Sequence, residues 1–225
     1  MAHEHLTDLE LFEGWSRGDR GMGSAFYQRI APKLSNYFRR NVYDRSKVEE
    51  LVQETFLAAI KPRNVVVSNP RGYLFGIASH VFSAFIRKRR KDLGFIDQEH
   101  EIGERPIHDL DPDPEFIRLQ RDEDRLFMKA MRKLPFEQQL VLELSFWEKM
   151  SGREIAEALN IAEGTVRSRI RLGRKRLQAL LRDLAESPEQ FKTATLSFTV
   201  WQKHIHEHMA GLDPEWDKDD DEEDA

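Results

Sequence analysis

The sequence predicts an all-α protein made of two small helical domains joined by an acidic linker and followed by a C-terminal extension. Three observations lead there. Apolar residues recur every three or four positions through most of the chain, the spacing of a helix face. The strand-like triplet Val65 to Val67 is too short, and too close to Pro62 and Pro70, to support a sheet. The stretch from Met150 to Leu177 reads as helix, tight turn, helix.

The elements follow in order. In residues 24 to 41, Phe26, Ile30, Leu34 and Phe38 repeat at intervals of four. In residues 46 to 60, Val48, Leu51, Val52, Phe56 and Ile60 form one apolar face. From Arg71 to Arg90, Tyr73, Leu74, Phe75, Ile77, Ala78, Val81, Phe82, Phe85 and Ile86 cover more than half the circumference. They leave a narrow stripe of Gly76, Ser79, His80, Ser83 and Arg87. Aromatic residues at this spacing predict the core of a three- or four-helix bundle. Farther on, Ser151 and Glu154 suit a capping box, and Ile155, Ala156 and Leu159 give one apolar face. The turn is expected at Asn160 to Gly164, and Val166, Ile170, Gly173 and Leu177 turn the second helix toward the first.

The charge balance of the 225 residues is −5, but it is segregated. Residues 71 to 91 carry six basic side chains (Arg71, Arg87, Lys88, Arg89, Arg90, Lys91) and no acid. Residues 92 to 124 carry twelve acids against three arginines, and the last thirteen hold nine acids and one lysine. Two basic modules separated by acid suggest a chain that binds nucleic acid yet avoids doing so indiscriminately. The chain has no cysteine, which excludes disulfides and thiolate metal sites and fits a reducing cytoplasm. No leader or membrane span is expected. With no phosphate loop, nucleophile elbow or embedded carboxylate pair, no enzyme activity and no cofactor are expected.

The second helix of the helix-turn-helix is the sharpest functional signal. Arg167, Arg171, Arg174 and Lys175 lie opposite its apolar side, and from Lys149 to Arg182 nine basic residues face three acids, all before Thr165. A solvated face normally mixes signs to gain i,i+4 pairs. A helix without them suits a major groove, where Arg pairs with guanine and later basic residues meet phosphates.

Several blocks, in order, resemble the bacterial extracytoplasmic-function (ECF) sigma factors across residues 20 to 184. Val48 to Phe56 (VEELVQETF) resembles the region 2 helix that docks on the clamp helices of the largest RNA polymerase subunit. The resemblance thus implies polymerase contacts by Glu49, Glu50, Leu51, Gln53, Glu54 and Phe56. Asn69 to Ala78 (NPRGYLFGIA), running into Arg87 to Arg90, resembles the helix that melts and holds the −10 element. Asn69, Arg71, Tyr73, His80, Ser83, Arg87, Lys88 and Arg90 are its implied DNA contacts. Leu134 to Gln139 (LPFEQQ) with the helix-turn-helix resembles region 4, implying −35 contacts by Thr165, Arg167, Ser168, Arg171, Arg174 and Lys175.

The implied organisation is region 2 over residues 1–91, an acidic linker over 92–122, region 4 over 123–186 and an extension over 187–225. Implied partners are core RNA polymerase, through its clamp helices and flap, promoter DNA and, as a candidate, an anti-sigma factor. Two departures stand out. Lys47 replaces a commonly acidic residue, and the loop from Lys61 to Asn69, where the family captures a flipped base, gives no readable preference. The linker has two readings, an RNA mimic in the exit path or a solubilising segment.

The extension contains Leu196, Phe198, Val200 and Trp201, too apolar to leave in water, and ends in DKDDDEEDA. It is expected to dock on the rest of the chain and regulate it. His204, His206 and His208 admit a metal reading, disfavoured because they have no cysteine or evident carboxylate partner. The alternative function is a helix-turn-helix regulator that never joins the polymerase. It leaves the Val48 to Phe56 and Asn69 to Arg90 blocks unexplained.

Overall fold

The computed structural model describes residues 5–42, 44–60, 67–92 and 122–194. Most of the Lys61–Asn69 loop, the linker after Asp92, the Arg90 side chain, the three extension histidines and the acidic tail lie outside the described residues. What is described is helical, as expected. The elements are α1 (Asp8–Ser16), α2 (Arg20–Arg39), α3 (Arg45–Ile60), α4 (Pro70–Asp92), α5 (Asp122–Arg132), α6 (Phe136–Phe146), α7 (Gly152–Leu159), α8 (Glu163–Leu184) and the short α9 (188–194).

The first unit packs α1 to α4 around Phe26, Ile30, Leu34, Phe38, Leu74 and Phe75, all fully buried. Helix α2 continues through Pro32 although proline removes a backbone donor. Burial of Phe26 and Ile30 before it and Leu34 and Phe38 after it offsets that cost. Helix α1 was not expected from periodicity. Its signal is a capping box, in which the Glu10 amide donates to Thr7 Oγ1 (3.2 Å) and the Thr7 amide to Glu10 Oε2 (2.7 Å).

The second unit packs α5 and α6 against α8, with α7 and α8 forming the helix-turn-helix. The expected box is present: the Glu154 amide donates to Ser151 Oγ (3.3 Å) and the Ser151 amide to Glu154 Oε2 (2.8 Å). Val166, Ile170, Gly173 and Leu177 are buried as expected. Gly173 lets α6 approach closely: a Cβ there would meet Leu142 Cδ1 at 2.9 Å, and that side chain would have to shift. The turn is shorter than expected. Asn160 takes the left-handed conformation (φ 52°), Ala162 is the extended N-cap, and α8 starts at Glu163 with Gly164 already helical.

The units share one core instead of standing apart. Helix α7 lies on α4, and the rings of Phe82 (α4) and Phe136 (α6) meet edge to face with centroids 5.8 Å apart. A Cβ on Gly76 would overlap the Ala158 carbonyl oxygen, so only glycine admits this approach.

Candidate nucleic-acid and polymerase interface

On α8, Ser168, Arg171 and Lys175 are exposed on one side, while Thr165, Arg167 and Arg174 are half-buried. The expectation that this helix has no carboxylate for its arginines needs correction. Because α8 begins two residues before Thr165, Glu163 stands one turn from Arg167 and pairs with it (3.9 Å). Glu137, arriving from α6, forms an ion pair with Arg169. The exposed cationic face therefore centres on Arg171 and Lys175, with Arg176 at its edge. Leu172 is also exposed there (44%), an apolar residue that periodicity alone did not single out.

The residues implied for the −10 element fall into two groups. His80, Arg87 and Lys88 are exposed along α4, and the half-buried Ser83 turns its hydroxyl to the Ser79 carbonyl (2.8 Å). Asn69, Arg71 and Tyr73 are engaged within the protein. Asn69 Oδ1 accepts from the Gly72 amide (2.9 Å), capping α4, while its Nδ2 donates to Glu154 Oε1 of α7 (2.8 Å). The Arg71 guanidinium donates to the Glu148 carbonyl. Tyr73 packs edge-on against Phe12, and burial raises its phenol pKa. Gly76 and Ser79, which the sequence placed on an open polar stripe, are buried, Gly76 directly beneath α7.

Helix α3 exposes Glu49, Glu50, Gln53 and Glu54. Leu51 and Phe56 point inward (4% and 6% exposed), so they support that face and do not form it. The apolar surface beside the carboxylates comes instead from Leu57, Ile60 and Tyr27, whose ring lies 4.7 Å from that of Phe56. Ile60, expected on the apolar face with Val48, Leu51, Val52 and Phe56, is exposed instead (53%), because it shares with Gln53 and Leu57 the side of α3 turned away from the core, while Tyr27 comes from α2.

A buried polar cluster joins the two units. At the end of α2, Arg40 is 3% exposed, and its guanidinium lies 3.7 Å from Glu143 of α6, 3.9 Å from Glu148 and 4.5 Å from the Trp147 ring centroid. Gln139 donates to Asn41 Oδ1 and to Glu143 Oε1, both at 2.8 Å. Arg40 Nε and Nη2 have no hydrogen-bond acceptor. Burial raises the Glu143 carboxyl above its ordinary 4.5, opposed by the Arg40 charge and by the Gln139 and Asn41 amides. Burial likewise raises Glu148, opposed by Arg40, Arg71 and Lys33 and aided by Glu143. Burial also raises the Tyr37 phenol beside them.

Both carboxyls hold protons more tightly when the units are joined than when solvated. The joined form is therefore favoured at low pH and loses stability as pH rises through the raised carboxyl values. Raising pH above the ordinary carboxyl range and through the raised values of Glu143 and Glu148 should loosen the junction, and Glu143→Gln should flatten that dependence. Interdomain distance measured across a pH series would show it. A profile unchanged by Glu143→Gln would contradict it.

Among the described residues no group of three or more His, Asp or Glu is placed to hold a metal ion, and no helix is long and apolar enough to cross a membrane. The helical fold and the exposed basic face of α8 define a DNA-contacting protein of the helix-turn-helix class. Known proteins narrow this further. The Sigma-70 region 2 family matches residues 26–92, and the Sigma-70, region 4 family matches residues 124–177. The ECF sigma factor SigW of Bacillus subtilis is 30% identical over 175 residues, spanning 75% of this chain and 93% of its own. SigE of Mycolicibacterium smegmatis is 30% identical over 204 residues (80% and 75%), and the sigma-H factor of Pseudomonas aeruginosa is 27% identical over 191 (78% and 96%). The fold is similar to that of the sigma factor RpoE from Bartonella quintana, solved in complex with the anti-sigma factor NepR. That similarity has a TM-score of 0.53 at 24% identity, covering 71% of this chain and 96% of that one. The chain belongs to the ECF RNA polymerase sigma factors. It is a polymerase-binding, promoter-specific initiation factor, and a regulator acting apart from polymerase is not favoured.

Proposed function

We propose that this sigma factor grips its promoter at two points. Helix α8 enters the major groove of the −35 element with Ser168 and Arg171 toward base edges and Lys175 toward phosphate, flanked by Thr165, Arg167 and Arg174. Helix α4 holds the non-template strand of the −10 element along His80, Ser83, Arg87 and Lys88, with Asn69, Arg71 and Tyr73 at its upstream end and Arg90 extending the basic cluster. The single observation that carries this reading is the exposed Ser168–Arg171–Lys175 face at the start of a basic helix.

Glu49, Glu50, Gln53 and Glu54, with Leu57, Ile60 and Tyr27 beside them, form the face of α3 offered to the clamp helices, and the second unit meets the flap. Melting requires no covalent step. Extruding a base costs a few kcal/mol, offset by stacking and strand contacts. The protein works in the cytoplasm, where polymerase is, and an anti-sigma factor is a candidate partner. The extension begins by docking, with Ala194 fully buried and the Arg182 guanidinium 5.9 Å from the Phe191 ring centroid, which favours a regulatory role for it.

The test is transcription by core polymerase from a promoter library with and without the purified chain. Specific starts that require the chain are expected. Starts that do not depend on it would refute the reading.

A further inference from the structure

Leu172 stands apart from the core that Val166, Ile170, Gly173 and Leu177 build on the other side of α8, and 44% of it is exposed. With about 3.6 residues per turn, Ser168 and Lys175 run along the middle of the exposed face of α8, and Arg171 and Leu172 flank them on opposite sides. The two flanks differ in charge. On the Leu172 side the preceding cation, Arg169, is half-buried and drawn to Glu137 of α6, so Leu172 is the side chain that flank offers to a groove.

An isolated exposed leucine is ordinary on a protein surface. This one lies within about a turn of Ser168, Arg171, Lys175 and Arg176, all exposed, on the face assigned to the major groove. When that face docks, Leu172 leaves water and meets a base edge. Guanine presents N7 and O6 there, adenine N7 and N6, and cytosine N4, all of them hydrogen-bonding groups. A leucine over any of these leaves a polar group desolvated and unpaired, which weakens binding. Thymine alone carries a methyl group in the major groove. Contact with it removes apolar surface of both partners from water.

We propose that Leu172 reads the C5-methyl of a thymine in the −35 element, so that α8 combines polar readout by Arg171 with apolar readout by Leu172. The inference rests on the assignment of α8 to that element. Adjacent Cα atoms are about 3.8 Å apart and successive bases about 3.4 Å, which places this thymine within about two base steps of the base read by Arg171.

The test uses the full chain bound to core polymerase and the promoters recovered from the library. Each thymine of the −35 element, on either strand, is replaced in turn by deoxyuridine, which lacks the methyl group and keeps O4 and the base pairing. At one position the unsubstituted chain should lose about fourfold in binding, the worth of one buried carbon. Leu172→Ala should weaken binding to the thymine duplex and bring the thymine-to-deoxyuridine ratio at that position to near unity. Alanine favours the helix at an exposed position, so this loss does not reflect unfolding of α8. Lys175→Ala, on the same face, should weaken binding to both duplexes and leave the ratio intact.

Recovered −35 elements without thymine, thymine-to-deoxyuridine ratios that Leu172→Ala leaves unchanged, or equal losses by Leu172→Ala on both duplexes would each overturn the proposal. Equal losses would mark a leucine that touches polymerase or only supports α8. Failure of the α8 assignment would read differently: Arg171→Ala and Lys175→Ala would then leave binding to the −35 element unchanged, whatever Leu172→Ala does.

Discussion

Arg171→Ala is expected to weaken binding to the −35 element by about 1–3 kcal/mol, roughly 5- to 150-fold, and to relax preference at one position of that element. Arg171 is exposed at the centre of the α8 face, where two parallel donors can meet the acceptors of a guanine edge. Arg169, two residues away, should matter far less to sequence preference, because it is turned toward α6 and paired with Glu137. Lys175→Ala gives the contrast: loss of a point charge should weaken binding on every sequence alike and reduce the salt slope by about one. Titration of each variant against a set of singly substituted −35 duplexes separates the two effects. Equal losses for Arg171→Ala and Lys175→Ala on every duplex would rule out direct readout by Arg171.

Gly76→Ala should open the molecule while leaving its first unit more stable. The new Cβ meets a backbone carbonyl, that of Ala158, which cannot swing aside as a side-chain tip would. Overpacking of this kind costs about 1–3 kcal/mol at the junction. Within α4 the same substitution removes the conformational entropy penalty of glycine, worth up to about 1 kcal/mol. A shared core that melts as one should then split into two transitions, the upper one belonging to the first unit, with a larger radius of gyration in the native state. A single transition and an unchanged radius would show that the junction does not depend on the contact at Gly76.

The sequence carried the parts of this fold that depend on local periodicity. Phe26, Ile30, Leu34 and Phe38 are fully buried because one residue per turn on one side of a helix has only the core to face. The Ser151–Glu154 box was equally plain, since both partners lie three residues apart. The same three-residue spacing at Thr7 and Glu10 caps the nine-residue α1. Gly164 suggested a turn, yet Asn160 took the left-handed position and left the glycine inside α8.

The functional face was legible in kind and less so in detail. Two of the six residues implied for polymerase contact, Leu51 and Phe56, face the core, because a motif marks a helix but not which side of it remains exposed. The junction could not be read at all. Asn41 and Glu143 are 102 positions apart, and Arg40, Gln139 and Glu148 have the composition of an ordinary surface. Only the packing of α6 and α7 on the first unit turns them into a buried cluster, and with it the basic, glycine-containing side of α4 becomes a surface that the protein partly covers itself.

The central claim, a two-point grip, is tested most directly by photocrosslinking in the polymerase–promoter complex, with one probe at position 171 and another at position 87. The first probe should mark duplex DNA at the −35 element. The second should mark the non-template strand roughly 25 positions downstream, across a distance the joined form cannot span. Both probes marking the same element, or the second marking only intact duplex, would contradict it.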